Sequence, residues 1–126
     1  MIVRDLQQLL ATERDVAWGN GQSRRFLIES DGMGYSLTDT VIDAGSESLL
    51  QYNHHLETCY CVEGEGELES MDGTVYPIQV GTMYALNQHD KHYLRAKTTM
   101  RLVCVFSPAL KGNESHNLND DVESSY

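Results

Sequence analysis

The 126-residue sequence has no apolar run approaching the ~18 residues that a helix needs to cross a bilayer. Charged residues interrupt its N-terminal stretch, residues 1–15, every few positions. That stretch has neither the apolar segment nor the small-residue cleavage site of a secretion signal. These absences argue against membrane insertion and export, so we expect a cytoplasmic protein with no membrane partner.

Cysteines and basic residues are also scarce. The chain has three cysteines, an odd number, and Cys59 and Cys61 are only two positions apart, which is a poor basis for a disulfide framework. Nine Lys and Arg residues face nineteen Asp and Glu residues, for a net charge of -10. The cysteine pattern therefore predicts free thiols. Because a nucleic-acid backbone is bound by clustered basic residues, we expect no nucleic-acid partner.

The length and the 40% hydrophobic content fit one globular domain over residues 1–126 with a core of its own. Helical periodicity is confined to residues 4–12, within a lead-in of residues 1–12, and predicts one short helix. Residues 24–107 contain about eight short strand-like runs separated by turn residues, which favours a closed all-β barrel. The acidic composition of residues 108–126 by itself is typical of a frayed tail.

Strand alternation groups several polar side chains. Thr38 and Thr40 share one face of a predicted strand, and Glu57, Cys59 and Cys61 share one face of another. A carboxylate buried among apolar groups and thiols is costly unless a cation accompanies it. Glu57 is therefore either a cation ligand or a residue at an exposed strand end.

The histidines and one tyrosine are ambiguous when each is considered alone. His54 and His55 are adjacent in an extended run, so their side chains face opposite ways. His89 lies in a turn and is expected to be exposed, whereas His92 begins a strand and can point into the mouth of a barrel. Tyr84 by itself fits an ordinary packed strand residue.

Two spacings resemble the paired sequence motifs of cupins. One is the carboxylate-to-glycine segment Glu57–Gly64, and the other is Gly81–His92. Gln51 and Asn53 stand where most cupins have two metal-binding histidines. The resemblance implies a cupin jelly-roll barrel with a metal site at the motif carboxylate and the last histidine.

Four longer segments resemble the ectoine synthase family in particular and cover nearly the whole chain: DGMGYSLTDTVI, HHLETCYCVEGEGE, YPIQVGTMYALNQHDKHYLRA and MRLVCVFSPALKGNESH. The resemblance implies a carbon–oxygen hydro-lyase that acts as a head-to-tail homodimer. Its reaction would close N4-acetyl-L-2,4-diaminobutyrate into the cyclic amidine ectoine, a compatible solute made under osmotic stress. Water leaves in this step, and no electrons are transferred.

The same resemblance implies an iron site. Fe(II) would be held by Glu57, Tyr84 and His92, in which Tyr84 replaces the donors lost at Gln51 and Asn53. A carboxylate, a phenolate and an imidazole suit a first-row divalent ion. The ion would act as a Lewis acid on the amide oxygen.

The resemblance also implies substrate contacts in the barrel and in the tail, which becomes a lid. The resemblance also implies that a residue of the tail, or a tyrosine of the barrel, transfers the proton. The choice of Arg25 over Arg24 rests on the resemblance alone, because adjacent strand residues face opposite ways, and Trp18 receives no role. The expected substrate contacts are Arg25, Thr38, Thr40, Tyr52, Cys104, Phe106, Glu114 and His116, and the candidates for proton transfer are Tyr52, Glu114 and His116.

Two other functions are compatible with the same scaffold. A non-catalytic cupin could bind or sense a small polar ligand, because a fold does not determine a function. A metal-dependent cupin dioxygenase is less compatible with the sequence, since Gln51 and Asn53 replace the histidines that hold iron in such enzymes.

Overall fold

The computed structural model describes residues 1–116 and 124–125, and it contains one short α-helix, one 3₁₀ helix and eleven strands. No helix in these residues has both the length and the hydropathy needed to cross a membrane. The elements are α1 (Leu6–Leu9), β1 (Asp15–Ala17), β2 (Gln22–Leu27), the 3₁₀ helix (Glu29–Asp31), β3 (Ser36–Ile42), β4 (Glu47–Gln51), β5 (Leu56–Glu63), β6 (Gly66–Ser70), β7 (Val75–Ile78), β8 (Met83–Leu86), β9 (His92–Ala96), β10 (Met100–Ser107) and β11 (Ser124–Ser125).

The strands form two sheets with the orders β1-β2-β3-β10-β5-β8 and β11-β4-β9-β6-β7. The pairs are antiparallel except for the parallel pair of β11 with β4. The core cluster draws on both sheets, with Leu102 and Cys59 from the first and Leu50, Leu68 and Leu94 from the second. The predicted all-β architecture with one short helix is confirmed.

The main departures from the predicted elements lie near the N-terminus. The helix has four residues, with Asp5 as its N-cap, and ends before Leu10, whose ψ of 134° is not helical. The leucine spacing, which predicted a helix within residues 4–12, therefore overstated its length. A helix this short gains little stability from its own hydrogen bonds. Strand β1 lies before residue 24, the predicted start of the barrel, and was not predicted. Its three residues are too few to show an alternation.

Strands β5 and β10 show the alternation that orients the interior residues. Glu57, Cys59 and Cys61 are buried, whereas Thr58 and Tyr60 between them are exposed. The predicted shared face of these three residues is therefore confirmed. After β5 the chain bends at Gly64, where φ is 81° and a Cβ atom would lie 2.1 Å from the Thr99 carbonyl oxygen, so only glycine fits there.

The chain after the last long strand packs against the barrel. Leu110 is fully buried, its carbonyl oxygen accepts from the Glu29 N–H at 2.7 Å, and its own N–H donates to the Ser36 hydroxyl at 2.8 Å. The composition-based expectation of a frayed tail therefore does not hold for residues 108–116. The remainder of the predicted tail, residues 117–123 and 126, lies outside the described residues.

An ion-pair cluster ties the N-terminal segment to the 3₁₀ helix. The Asp31 carboxylate accepts from Arg4 at 2.9 Å and Arg14 at 3.0 Å, and from the Ile28 N–H at 2.9 Å. The hydrogen bond from Arg14, followed by those from Arg4 and Ile28, holds the pKa of Asp31 well below its usual range against the opposing effect of burial. Asp31 is thus ionised in the folded protein throughout the neutral range.

Replacing Asp31 with Asn should lower the free energy of unfolding at pH 7 by about 1–3 kcal/mol, because it weakens charge-assisted hydrogen bonds. The folded-state pKa of Asp31 lies below the unfolded value, so its stabilisation is complete above that unfolded value, about 4, and is lost as the pH falls toward the folded one. Urea unfolding from pH 7 down to pH 3 should show the gap between wild type and D31N narrowing below about pH 4. Asp43→Asn, at an exposed turn, is the control, and a gap that does not narrow would contradict the assignment.

Candidate active site

A cavity of about 30 Å³ lies inside the barrel. Six of the predicted site residues line it, and most of the remaining lining is apolar. The predicted residues are Thr40, Tyr52, Glu57, Tyr84, Cys104 and Phe106, and the others are Trp18, Ser23, Ile42, Leu50, Cys59, Leu94 and Leu102.

Glu57 is the carboxylate of this cavity. Its residue is 6% exposed, and within residues 1–116 and 124–125 no cationic side chain forms an ion pair with it. Burial raises its pKa to about 8, against the opposing hydrogen bonds from the thiols of Cys59 and Cys104. A carboxyl group in these surroundings is stable either as the neutral acid or beside a cation.

Two thiols and a phenol surround Glu57. Strand register pairs Cys59 with Cys104 on β10 and with Tyr84 on β8. The two sulfur atoms are 3.1 Å apart, and Tyr84 lines the same cavity as both cysteines. Burial is the main cause that raises the pKa of Cys59 and of Tyr84 well above their usual values. Both groups therefore stay protonated at neutral pH unless a cation binds them.

His92 begins β9 beside this cavity and does not line it. Its Nδ1 lies 2.9 Å from the Asp90 carbonyl oxygen, which can only accept, so Nδ1 carries the proton and Nε2 keeps its lone pair. Nε2 is buried and has no hydrogen-bond partner, and burial lowers the pKa of His92, which favours the neutral ring. His92 and Tyr84 line the same groove of about 640 Å³ between β7 and β8.

Two donor sets that share Glu57 could therefore hold a metal ion. The predicted set adds Tyr84, which lines both the cavity and the groove, and the unpartnered Nε2 of His92. The other set adds the sulfurs of Cys59 and Cys104, which lie within 4.8 Å of each other and of a Glu57 oxygen. An uncompensated carboxylate and an orphaned imidazole nitrogen are what a site for a divalent cation offers.

Arg25 is fully buried, whereas Arg24 pairs with Asp39 on the other face of β2. The Arg25 Nε donates to Ser23 at 3.2 Å, and Nη2 donates to the Glu114 carbonyl oxygen at 2.5 Å. Nη1 lies 3.5 Å from a Glu114 carboxylate oxygen but forms no hydrogen bond. Arg25 therefore presents one unsatisfied donor inside the protein, as a binding site for an anionic group requires.

Glu114 holds the tail in a tight turn. Its carboxylate oxygens accept from the N–H groups of Lys111 at 2.7 Å and Gly112 at 2.8 Å. Burial acts to raise its pKa, but these backbone hydrogen bonds and the charge of Arg25 outweigh burial and lower it. Glu114 is thus an ionised carboxylate whose two oxygens are already engaged.

His116 brings the tail to the cavity wall. Its backbone N–H donates to the Trp18 carbonyl oxygen at 2.8 Å, and its Nε2 lies 3.3 Å from the Tyr52 hydroxyl. Its ring meets the rings of Trp18 and Tyr52 edge-on, and Tyr52 meets Phe106 in the same way. The aromatic cluster couples the tail to the cavity lining.

The two predicted threonines, Thr38 and Thr40, lie at different depths from the cavity. Thr40 lines the cavity, whereas Thr38 is fully buried and its hydroxyl lies 3.0 Å from that of Thr40. Cys104 is paired with Thr38 across β10 and β3. The structure thus places Thr38 as a partner of Thr40.

Sequence reasoning did not assign Trp18 and Cys59, which both line the cavity. Trp18 is held there by its Nε1–H, which donates to the Val41 carbonyl oxygen at 2.9 Å. Gly21 permits this packing, because a Cβ atom there would lie 1.9 Å from that same oxygen. The strand face that Cys59 shares with Glu57 could have identified Cys59 as a cavity residue from the sequence. The position of Trp18 depends on a loop that carries no periodic pattern.

Comparison with known proteins identifies the family of this chain. The family model described as ectoine synthase matches residues 1–124. The chain belongs to the ectoine synthase family. It is 52% identical over 120 residues to the L-ectoine synthase of Halalkalibacterium halodurans, covering 94% of this chain and 93% of that protein. The L-ectoine synthase of Oceanobacillus iheyensis is 52% identical over 118 residues, covering 93% of this chain and 92% of that protein.

Solved structures support the family and the fold. The crystal structure of ectoine synthase from P. lautus has a TM-score of 0.86 at 53% identity and covers 89% of this chain and 81% of that chain. A cupin 2 conserved barrel domain protein from Salinispora arenicola has a TM-score of 0.67 at 20% identity, with 85% of this chain and 88% of that chain covered, and shows the fold alone. The predicted cupin barrel and the predicted family are both confirmed.

Trp18 is the sole tryptophan and only 4% exposed, so its fluorescence reports on the docking of His116. Replacing His116 with Ala should shift the emission to longer wavelength, because the edge-on ring that shields the indole is lost. His54→Ala, at an exposed position, is the matched control and should leave the emission unchanged. An unshifted spectrum in H116A, or an equal shift in both variants, would contradict the docking described above.

Proposed function

We propose that this protein is an L-ectoine synthase that cyclises N4-acetyl-L-2,4-diaminobutyrate to ectoine with loss of water. The observation that carries the proposal is the buried Glu57 carboxylate, which faces a barrel cavity without a cationic partner among the described residues. In its ionised form such a group is costly unless it serves a bound cation. Membership of the ectoine synthase family makes ring closure the reaction that this cation would assist.

The proposed cofactor is Fe(II), held by Glu57, Tyr84 and His92. The neutral, unpartnered Nε2 of His92 and the uncompensated carboxylate of Glu57 support this set. Tyr84 would bind as the phenolate, whose formation next to Glu57 requires a cation. When bound, the ion supplies Lewis-acid polarisation of the acetamide carbonyl, an effect worth several kcal/mol in the transition state.

Arg25 is the proposed partner of the substrate carboxylate. Its unsatisfied Nη1 is a buried donor, and the contacts to Ser23 and Glu114 fix the plane of the guanidinium. Tyr52, Thr40 and the other cavity residues would hold the chain of the substrate folded, so that the α-amine meets its own acetamide carbonyl. Holding the two groups together in this way removes much of the entropic cost of ring closure.

The α-ammonium must lose a proton before it can attack. We infer that His116 accepts this proton, with Tyr52 beside it at 3.3 Å as a relay. Glu114 is a weaker candidate for the base, because its pKa is lowered and both of its oxygens already accept hydrogen bonds. In this proposal Glu114 orients Arg25.

The tail is the proposed lid. The cavity of about 30 Å³ holds water-sized molecules only, so the much larger substrate requires the lining to open. His116 spans Trp18 and Tyr52 at the cavity wall, and its release would widen the cavity without breaking a strand pair. Closure over the substrate would then exclude water from the ring-closing step.

The central test is an assay of the purified, Fe(II)-loaded protein with N4-acetyl-L-2,4-diaminobutyrate. Alanine at Glu57, Tyr84 or His92 should abolish bound iron and ectoine formation, while circular dichroism retains its strand signal. Cys61→Ala is the control, because Cys61 shares the strand and face of Glu57 but lies outside the cavity lining. Stoichiometric iron in any of the three alanine variants would refute the ligand set.

The same assay separates the other functions. Absence of ectoine from fully iron-loaded wild type would leave the ligand-binding cupin as the better account. Consumption of O₂ with substrate would indicate the dioxygenase.

We also propose that the protein is a cytosolic homodimer. Three free, buried cysteines fit a reducing compartment. Strand β8 ends its sheet, and Met83 on it is 57% exposed beside Tyr60, which is 49% exposed. An apolar strand edge of this kind favours pairing with a second copy.

Replacing Met83 with Glu should convert the dimer to a monomer, because it places a charge in the proposed apolar contact. Light scattering coupled to gel filtration measures the mass directly. Met33→Glu is the matched control, since Met33 is 48% exposed in the loop before β3. A dimer that survives M83E unchanged would place the interface elsewhere, and a monomeric wild type would end the proposal.

A further inference from the structure

The thiols of Cys59 and Cys104 are not used by the proposed iron set. Both residues are nearly fully buried, at 1% and 2% exposure, and both line the barrel cavity. Their strands pair them directly, so their sulfurs meet at 3.1 Å. A Glu57 oxygen and the two sulfurs all lie within 4.8 Å of one another.

We propose that Glu57, Cys59 and Cys104 form a second metal site, selective for a thiophilic divalent ion such as Zn²⁺, which shares Glu57 with the iron set. Thiolate ligands select soft ions, whereas oxygen and imidazole ligands suit Fe(II). One carboxylate thus belongs to two donor sets of different chemical preference, and we infer that ions at the two sets compete for it.

The distances suit an ion of this class. Two sulfurs bound to tetrahedral Zn²⁺ at about 2.3 Å lie about 3.8 Å apart, so this pair must open by less than about 1 Å. Small rotations about the cysteine χ1 angles supply that movement without a shift of the paired strands. Tyr84 lines the same cavity as the three ligands.

The third cysteine shows that burial alone does not make the site. Cys61 is 1% exposed and shares the strand and face of Cys59, but its sulfur lies near the carbonyl oxygens of Glu63 at 3.3 Å and Gly64 at 3.7 Å. It is not a member of the cluster with Glu57. Cys61 is therefore a matched control for any effect of a buried thiol.

The experiment uses Co²⁺ as a spectroscopic probe for Zn²⁺, added to the metal-free, reduced, full-length protein without substrate. Thiolate coordination should produce a sulfur-to-cobalt charge-transfer band that saturates at one ion per chain. Cys59→Ala and Cys104→Ala should each remove most of the band and weaken Co²⁺ binding by about tenfold or more. Cys61→Ala should retain both, and a band that is absent from wild type or persists in both cluster variants would overturn the proposal.

A second measurement needs no variant and therefore does not depend on how the variants fold. Zn²⁺ should protect Cys59 and Cys104 of the wild type from alkylation, as located by mass spectrometry, and should leave the modification of Cys61 unchanged. Equal protection of all three thiols would indicate a general change in folding and would overturn the site.

Iron loading tests the shared carboxylate. Fe(II) bound beforehand at one ion per chain should suppress the cobalt band, whereas a full band beside retained iron would show that the two sets do not compete for Glu57. None of these measurements involves ectoine. Failure of the thiol site therefore leaves the proposed reaction untouched, and failure of the ectoine assay leaves the thiol site untouched.

Discussion

The active site is arranged around one buried group, the Glu57 carboxylate in the barrel interior, which has no cationic partner among the described residues. Apolar groups and thiols surround it, and burial raises its pKa to about 8. A protein retains such a group at a cost in stability, which a bound cation can offset. The proposed metal site, the proposed reaction and the choice between two donor sets all follow from this residue.

Strand register decides which groups meet Glu57. The pairing of β10 with β5 sets Cys104 against Cys59, and the pairing of β5 with β8 sets Tyr84 against Cys59. A slip of one residue in either pair would turn the partner's side chain to the outer face. Hydrogen bonding between the backbones of neighbouring strands thus decides which side chains meet in the cavity.

The tail contributes a different kind of constraint. Residues 108–116 form no strand, yet Leu110 is fully buried and His116 bonds to the backbone of Trp18. Glu114 closes a local turn and at the same time approaches Arg25. A segment held by buried side chains and isolated hydrogen bonds, without a strand ladder, can detach while the barrel stays intact, which suits it to cover a cavity too small for the proposed substrate.

The sequence by itself determined the strand alternation, the shared face of Glu57 and Cys59, and the family. Each of these depends on local periodicity or on a motif of fixed spacing, which a linear sequence retains. Helix length was overstated, because leucine spacing cannot reveal that the helix has too few internal hydrogen bonds to continue.

Only the tertiary structure decided how residues distant in the chain combine. It turned Arg25 inward and Arg24 outward, seated Trp18 on β3, and brought Cys104 to Cys59. It also left His92 beside the cavity with an unpartnered nitrogen. Contacts of this kind arise from the packing of two sheets and a tail, and neither periodicity nor composition encodes the separation of side chains across such a core.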